Sequence, residues 1–256
     1  MLLDHPLISE RYFFPRWQMA TDPFWVECDG ARLACYRYSP YPQAGTLLHF
    51  HGNGDTAADY VGEIAEAVLG CGVNVCFAEY RGYGAATGRP ALVALLDDTS
   101  RIFQALHLPP ERVVVMGRSL GSLYATELVA RYPNLAGLIL ESGIADVMER
   151  LLLRVTPAEL HCTQADLAVE VDRYFNQAAK LHGYIGPVLI LHAAQDTLIA
   201  VSHAQRNYAW AGGVNKELVV FADGDHNSIM ADNWVAYWAK LRSFLDRISM
   251  TAESEA

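Results

Sequence analysis

Short apolar runs alternate along this chain with longer stretches whose apolar residues recur every three or four positions. Thr46–Phe50 (TLLHF), Val73–Ala78 (VNVCFA), Val113–Met116 (VVVM), Leu135–Leu140, Val188–His192 and Glu217–Phe221 read as buried strands. Thr56–Leu69, Leu92–Leu106, about Leu120 to Arg131 and Trp234–Ile248 carry the helical spacing, and Pro109-Pro110 lies just beyond the second of these. Upstream, Phe24–Cys28 and Arg32–Tyr38 flank Asp29-Gly30, a hairpin signal that predicts an antiparallel edge. The alternation predicts an α/β fold, with a mostly parallel sheet of about eight strands and helices on both faces.

One segment departs from the rhythm. From Gly143 to Gly186 the texture is helical and no strand is visible. A stretch this long inside a compact α/β domain is usually functional. It is expected to form a helical cap or lid, inserted into a single domain spanning residues 1–256.

Composition narrows the class. Apolar residues make up 52% and charged residues 19%, a globular balance. The net charge is −10 and no Lys/Arg cluster is visible, which argues against a nucleic-acid partner. The five cysteines are dispersed, with no CxxC pair, as expected in a reducing, cytoplasmic setting. Asp4, Glu10 and Arg11 fall too early for a signal-peptide core, and no apolar run is long enough for a transmembrane segment. The closing MTAESEA is expected to fray. The oligomeric state is not legible.

The candidate chemistry centres on Gly117-Arg118-Ser119-Leu120-Gly121, placed directly between the strand VVVM and a helix. A serine hydroxyl is a weak nucleophile unless a base takes its proton. A sharp strand-to-helix turn holds it out, and the two glycines let that turn close. A chance G-x-S-x-G in a chain of this length has odds of roughly one in ten; the strand before it and the helix after it carry the assignment beyond that.

The base and its orienting acid should follow in the order Ser, Asp or Glu, His. Asp196 follows the strand VLILH, and His226 follows ELVVF in the loop ADGDHNSI. Both sit where strands end, the ligand side of an open α/β sheet. Glu141 and Asp146 are the alternative positions for the acid; Asp225 adjoins the histidine on too tight a loop. His49 and His192 lie on apolar strands and read as core residues. His51-Gly52-Asn53-Gly54 follows TLLHF and supplies a candidate oxyanion loop. The backbone amides of Asn53 and Leu120 are the expected oxyanion-hole donors. His51 belongs to no metal-ligand spacing, so no metal and no other cofactor is expected. Tyr80-Arg81-Gly82-Tyr83-Gly84 is read as a brace for the oxyanion loop.

HGNG, YRGYG, GRSLG, HAAQD and GDHN occur together in an order that resembles the α/β-hydrolase superfamily. Within it, they are most similar to the bud-emergence-type hydrolases and their protein depalmitoylase relatives. Tyr12–Pro15 (YFFP) is also similar to their opening segment. The resemblance implies the α/β-hydrolase fold, a catalytic set of Ser119, Asp196 and His226, and a cap between the sixth and seventh strands. This chain departs by carrying His192-Ala193 where the family usually has His-Gly. The expected activity is that of a serine hydrolase cleaving a carboxylic ester or thioester, on a small-molecule or acylated substrate, through an acyl-enzyme on Ser119. The cap's apolar residues, such as Leu151–Leu153 and Tyr174-Phe175, suit an acyl chain or simply pack the cap. A peptidase or amidase of the same fold, and an inactive hydrolase fold used for binding, are the alternatives. A haloalkane- or epoxide-type enzyme would need an aspartate where Ser119 stands.

Overall fold

The computed structural model describes residues 1–251; the last five residues of the MTAESEA tail lie outside the described residues. The strands are β1 (Phe24–Cys28), β2 (Ala31–Tyr38), β3 (Thr46–Phe50), β4 (Asn74–Ala78), β5 (Val113–Arg118), β6 (Gly137–Glu141), β7 (Val188–Ala193) and β8 (Lys216–Phe221). They form one eight-stranded sheet in the order β1-β2-β4-β3-β5-β6-β7-β8. β1 pairs antiparallel with β2, and β2 antiparallel with β4; every other pairing is parallel. The hairpin expected at Asp29-Gly30 is therefore the edge of an otherwise parallel sheet.

The helix α1 (Pro6–Tyr12) precedes the sheet, and the others follow strands: α2 (Glu63–Gly70), α3 (Ala94–Ala105), α4 (Gly121–Arg131), α5 (Val147–Leu152), α6 (Gln164–Phe175), α7 (Gln177–Gly183), α8 (Val201–Trp210), α9 (Ile229–Asp232) and α10 (Trp234–Arg247). Successive strand residues point to opposite faces, and here both faces are covered. Leu48, Val113, Val115, Leu138, Leu140 and Ile190 join one core, which includes Leu123 and Leu128 of α4. Leu47, Val114, Met116, Ile139, Leu189 and Leu191 join the other, with Tyr237, Leu241 and Phe244 of α10. Burial on both sides is why these strands appear as unbroken apolar runs.

Two elements differ from the sequence pattern. Thr56–Leu69 is not one helix: Ala57–Tyr60 forms a single 3-10 turn, and α2 begins only after Gly62, whose φ of 99° interrupts the helical path. Thr56 and Asp59 cap that turn reciprocally, so it closes on itself instead of propagating. The helix α8 carries no clear apolar stripe because two of its buried positions are polar. His203 Nδ1 accepts from the Ala145 amide, and Asn207 Nδ2 donates to the Gly143 carbonyl.

The 143–186 segment lies between β6 and β7 and contains α5, α6 and α7. α7 packs along α4 and α8, as a sheet-covering helix does. α6 instead packs on α5 and on Leu2–Asp4, where the Leu3 amide donates to Glu170. Arg11 pairs with Glu159, so the N-terminal segment is tied to this insertion at two points.

Candidate active site

The ends of β3, β5, β7 and β8 converge on one polar cluster. At the end of β5 the chain turns sharply, and Ser119 adopts φ of +50°, in the left-handed region that costs an L-residue roughly 1–2 kcal/mol. The turn is very tight. A Cβ on Gly117 would come within 2.4 Å of the Gly121 carbonyl oxygen, and one on Gly121 within 2.1 Å of the Phe50 carbonyl oxygen. A side chain at Gly117 would push α4 away from β5, and one at Gly121 would push it away from β3. The Ser119 amide donates to Glu141 O at 2.8 Å, and Ser122 Oγ donates to Ser119 O at 2.6 Å. These two bonds hold the strained residue from either side.

Ser119 Oγ donates to His226 Nε2 at 2.9 Å, and His226 Nδ1 donates to Asp196 Oδ2 at 2.7 Å. Asp196 Oδ1 accepts from the amides of Leu198 and Ile199, at 2.9 and 2.8 Å. Burial works to raise the Asp196 pKa, but the bonds from His226 and Ile199 prevail and hold it below the usual value. All three side chains are nearly closed to solvent. Asp196, and neither of the two other candidate acids, meets the histidine. Glu141 is occupied by Arg118 and by the Tyr237 hydroxyl. Asp146 caps α5 through the Glu149 amide and also accepts from Arg206. Asp225 folds back on its own loop, accepting from the amides of Asn227 and Ser228.

The candidate oxyanion loop is held by the side chain of Asn53, which leaves the Asn53 amide available. Asn53 Oδ1 accepts from the Tyr83 hydroxyl at 2.7 Å and from the Phe14 amide at 3.0 Å, while its Nδ2 donates to Tyr12 O. Among the described residues, neither the Asn53 amide nor the Leu120 amide donates to a protein acceptor. Two free N–H groups beside a serine hydroxyl are what a developing oxyanion requires.

The YRGYG loop braces this wall, as expected. Tyr80 donates through its hydroxyl to His51 O at 2.8 Å, and Arg81 grips Asp98 through two bonds of 2.6 Å. Inside the brace, His51 Nε2 meets Glu79 Oε1 at 2.8 Å, and its Nδ1 lies 2.8 Å from Gly52 O. Burial opposes charging His51, but the adjacent Glu79 carboxylate prevails and raises its pKa. Both ring nitrogens are thereby engaged.

Two residues, Arg118 and His192, have positioning roles that the sequence did not reveal. Arg118 donates to Asp55 at 2.6 Å, to Glu141 at 3.1 Å and to the His226 carbonyl at 3.1 Å. It thus joins the Ser119 turn, the loop after β3 and the His226 loop. His192, read as a core residue, is fully buried, and its Nε2 lies 2.8 Å from Ile199 O, which pins the acid's loop. Burial lowers its pKa, so the ring is neutral and Nε2 donates. His49 is also buried, on the opposite face of the sheet, against Tyr60 and Phe77. It borders a cavity of about 280 Å³ that contains neither Ser119 nor His226. The cleft over the serine is a separate space of about 240 Å³, bordered by Ser119, His226, Asn53 and Leu120.

Comparison with known proteins agrees with this fold. Residues 41–165 match the family model described as serine aminopeptidase, S33. The chain is 30% identical over 224 residues to alpha/beta hydrolase domain-containing protein aho-3 of Caenorhabditis elegans, covering 84% of this chain and 62% of that one. It is 32% identical over 183 residues to human alpha/beta hydrolase domain-containing protein 17B, covering 68% of this chain and 58% of that one. The chain thus spans about three fifths of the length of these curated relatives. Among solved structures, the Pyrococcus furiosus esterase Pf2001 superposes with a TM-score of 0.73 at 18% identity, covering 92% of this chain and 98% of that one. Mouse alpha/beta hydrolase domain-containing protein 10 gives 0.69 at 15% identity, covering 90% and 100%. The chain belongs to the α/β-hydrolase superfamily.

Proposed function

We propose that this protein is a serine hydrolase that cleaves a carboxylic ester or thioester through an acyl-enzyme on Ser119. The observation that carries the reading is the unbroken line Ser119 Oγ, His226, Asp196, at 2.9 and 2.7 Å, beside two uncommitted backbone amides. In this reading His226 Nε2 takes the Ser119 proton as Oγ attacks the carbonyl carbon. Asp196 fixes the tautomer with the proton on Nδ1 and stabilises the imidazolium that forms. The amides of Asn53 and Leu120 receive the oxyanion. The imidazolium returns its proton to the departing alcohol or thiol. Water, deprotonated by His226, then releases the acid from Ser119. In the same reading, the 143–186 insertion is a cap whose first part walls the cleft through Ile144, Arg150 and Arg154.

The match to a serine aminopeptidase model favours a second reading, hydrolysis of an amide next to a free amino terminus. Such a substrate presents an ammonium group, which calls for a carboxylate in the cleft. Among the described residues, the cleft over Ser119 is bordered by arginines and by no carboxylate, which favours the ester reading.

The test is labelling by a fluorophosphonate probe, run beside turnover of p-nitrophenyl esters, acyl thioesters and aminoacyl p-nitroanilides. Labelling that is lost in Ser119→Ala, with ester or thioester turnover, supports the reading. A folded wild-type protein that resists labelling and turns nothing over would mark the fold as a binding module.

A further inference from the structure

The charge around the nucleophile runs against the charge of the whole chain. The protein has 29 Asp and Glu against 19 Lys and Arg. Yet among the described residues the cleft over Ser119 is bordered by Arg118, Arg150 and Arg154 and by no aspartate or glutamate. Arg118 is committed to Asp55 and Glu141. Arg150 and Arg154 are not: among the described residues neither guanidinium forms an ion pair or a side-chain hydrogen bond. Arg154 lies 5.2 Å over the Phe14 ring, a contact that leaves its N–H groups free. The neighbouring carboxylates are already engaged. Asp146 and Glu149 pair with Arg206, Glu149 also with His203, and Glu159 with Arg11.

The placement of this pair bears on substrate. Arg150 lies in the last turn of α5 and Arg154 two residues after it, so both come from the insertion and not from the sheet that holds Ser119. The cleft measures about 240 Å³, below the roughly 300–1,000 Å³ of most ligand pockets. A group held by these guanidiniums therefore shares a small space with the reacting carbonyl. Guanidinium is the side chain best matched to a carboxylate or phosphate, since its planar fork offers parallel N–H donors.

From this we infer that the substrate is an anionic ester or thioester, whose carboxylate or phosphate is held by Arg150 and Arg154 while Ser119 attacks its carbonyl. The inference rests on the hydrolase reading and names the substrate class for that site. The anion belongs either to the acyl part or to the leaving group, and matched pairs separate the two. Mono-p-nitrophenyl glutarate against p-nitrophenyl valerate places it on the acyl side. Butyrylglycerophosphate against butyrylglycerol places it on the leaving group.

At least one anionic member should exceed its neutral partner in kcat/KM by roughly tenfold or more, the scale of one charge-assisted hydrogen bond. The preference should shrink in about 1 M sodium chloride, where the screening length falls to about 3 Å. Arg150→Gln with Arg154→Gln should bring the anionic-to-neutral ratio close to unity, and the matching lysine variants should restore part of it. A turnover-independent arm uses Ser119→Ala protein. Its thermal midpoint should rise with monomethyl glutarate or glycerophosphate but not with methyl valerate or glycerol, and the paired glutamine substitutions should remove the rise. Equal turnover of both members of each pair, or a preference indifferent to the two arginines, overturns the inference while leaving the hydrolase intact. Anion binding by the Ser119→Ala protein, with no ester turned over by wild type, would sustain the arginine site and overturn the hydrolase reading instead.

Discussion

Arg118→Met isolates the element that joins the site together. The side chain of Arg118 is 13% exposed; it pairs with Glu141, at 4%, and with Asp55, at 30%. Among the described residues, removing the guanidinium leaves the Glu141 carboxylate buried without a cation, with only the Tyr237 hydroxyl as donor. Breaking a buried ion pair from one side costs about 3–5 kcal/mol. The Asp55 pair is partly wet and adds about 1 kcal/mol at most. The expected loss is therefore about 4 kcal/mol, or a fall in melting temperature of roughly 8–16 °C for a domain of this size. The assay is urea unfolding of wild type, Arg118→Met, Glu141→Gln and the double variant. Because Glu141→Gln removes the charge that Arg118 neutralises, the double variant should be more stable than the sum of the single losses implies, by roughly 1–3 kcal/mol. Turnover in the proposed hydrolase reaction should fall as well, since the His226 carbonyl loses its 3.1 Å donor. A loss under about 1 kcal/mol for Arg118→Met, or strict additivity in the cycle, would refute the reasoning, because either would mean that Glu141 does not depend on Arg118.

Three further outcomes are expected. Asp196→Asn should lower kcat by roughly 10⁴ with the fold retained, the loss seen when a triad aspartate elsewhere no longer fixes the histidine tautomer; near-normal steady-state rates would remove Asp196 from the mechanism. Ser119→Gly should be more stable than Ser119→Ala by about 1 kcal/mol in thermal or urea unfolding, because glycine alone accepts φ of +50° without strain; equal stabilities would show that the turn relaxes. Burial holds the pKa of His49 down to about 3 from 6.5, so below pH 6.5 the unfolded chain binds a proton that the folded chain refuses. His49 therefore costs no stability above pH 6.5, and as pH falls from 6.5 toward 3 it removes about 1.4 kcal/mol per pH unit. His49→Phe should flatten the pH dependence of unfolding in that window by one proton, and an unchanged slope would count against the assignment.

Strands buried on both faces, such as Val113–Met116, were the most legible part of the sequence, because a continuous apolar run has few other uses in a chain of this charge. The residues of the proposed nucleophile, base and oxyanion loop could be located for a related reason: each follows such a run, and the ends of parallel strands must meet. The choice among Asp196, Glu141 and Asp146 was not legible, since order along the chain does not tell which carboxylate reaches the histidine. Side-chain parity held part of the answer. Val114, Met116 and Arg118 share one face of β5, and Ile139 and Glu141 share the same face of β6. Glu141 is thereby directed to Arg118 and α10, away from the cleft. What sequence concealed were contacts made by polar residues inside apolar patterns. The buried His203 and Asn207 interrupt the apolar stripe of α8, and the His51–Glu79 pair joins the ends of two strands that are 28 residues apart in sequence.

These contacts explain how the strain at Ser119 persists. A left-handed serine will relax unless the residues on both sides are held more firmly than the strain can pull. On one side, Arg118 is clamped between two carboxylates and the histidine loop. On the other, Ser122 Oγ bonds back to the Ser119 carbonyl and also accepts from the Ile144 amide, at the start of the insertion. The variable position before the serine is therefore not free in this protein. A residue there that could not reach Asp55, Glu141 and His226 O together would release the turn from the β5 side. Ser119 would then lose its alignment with His226 even though every atom of the serine, the histidine and the aspartate remained in place.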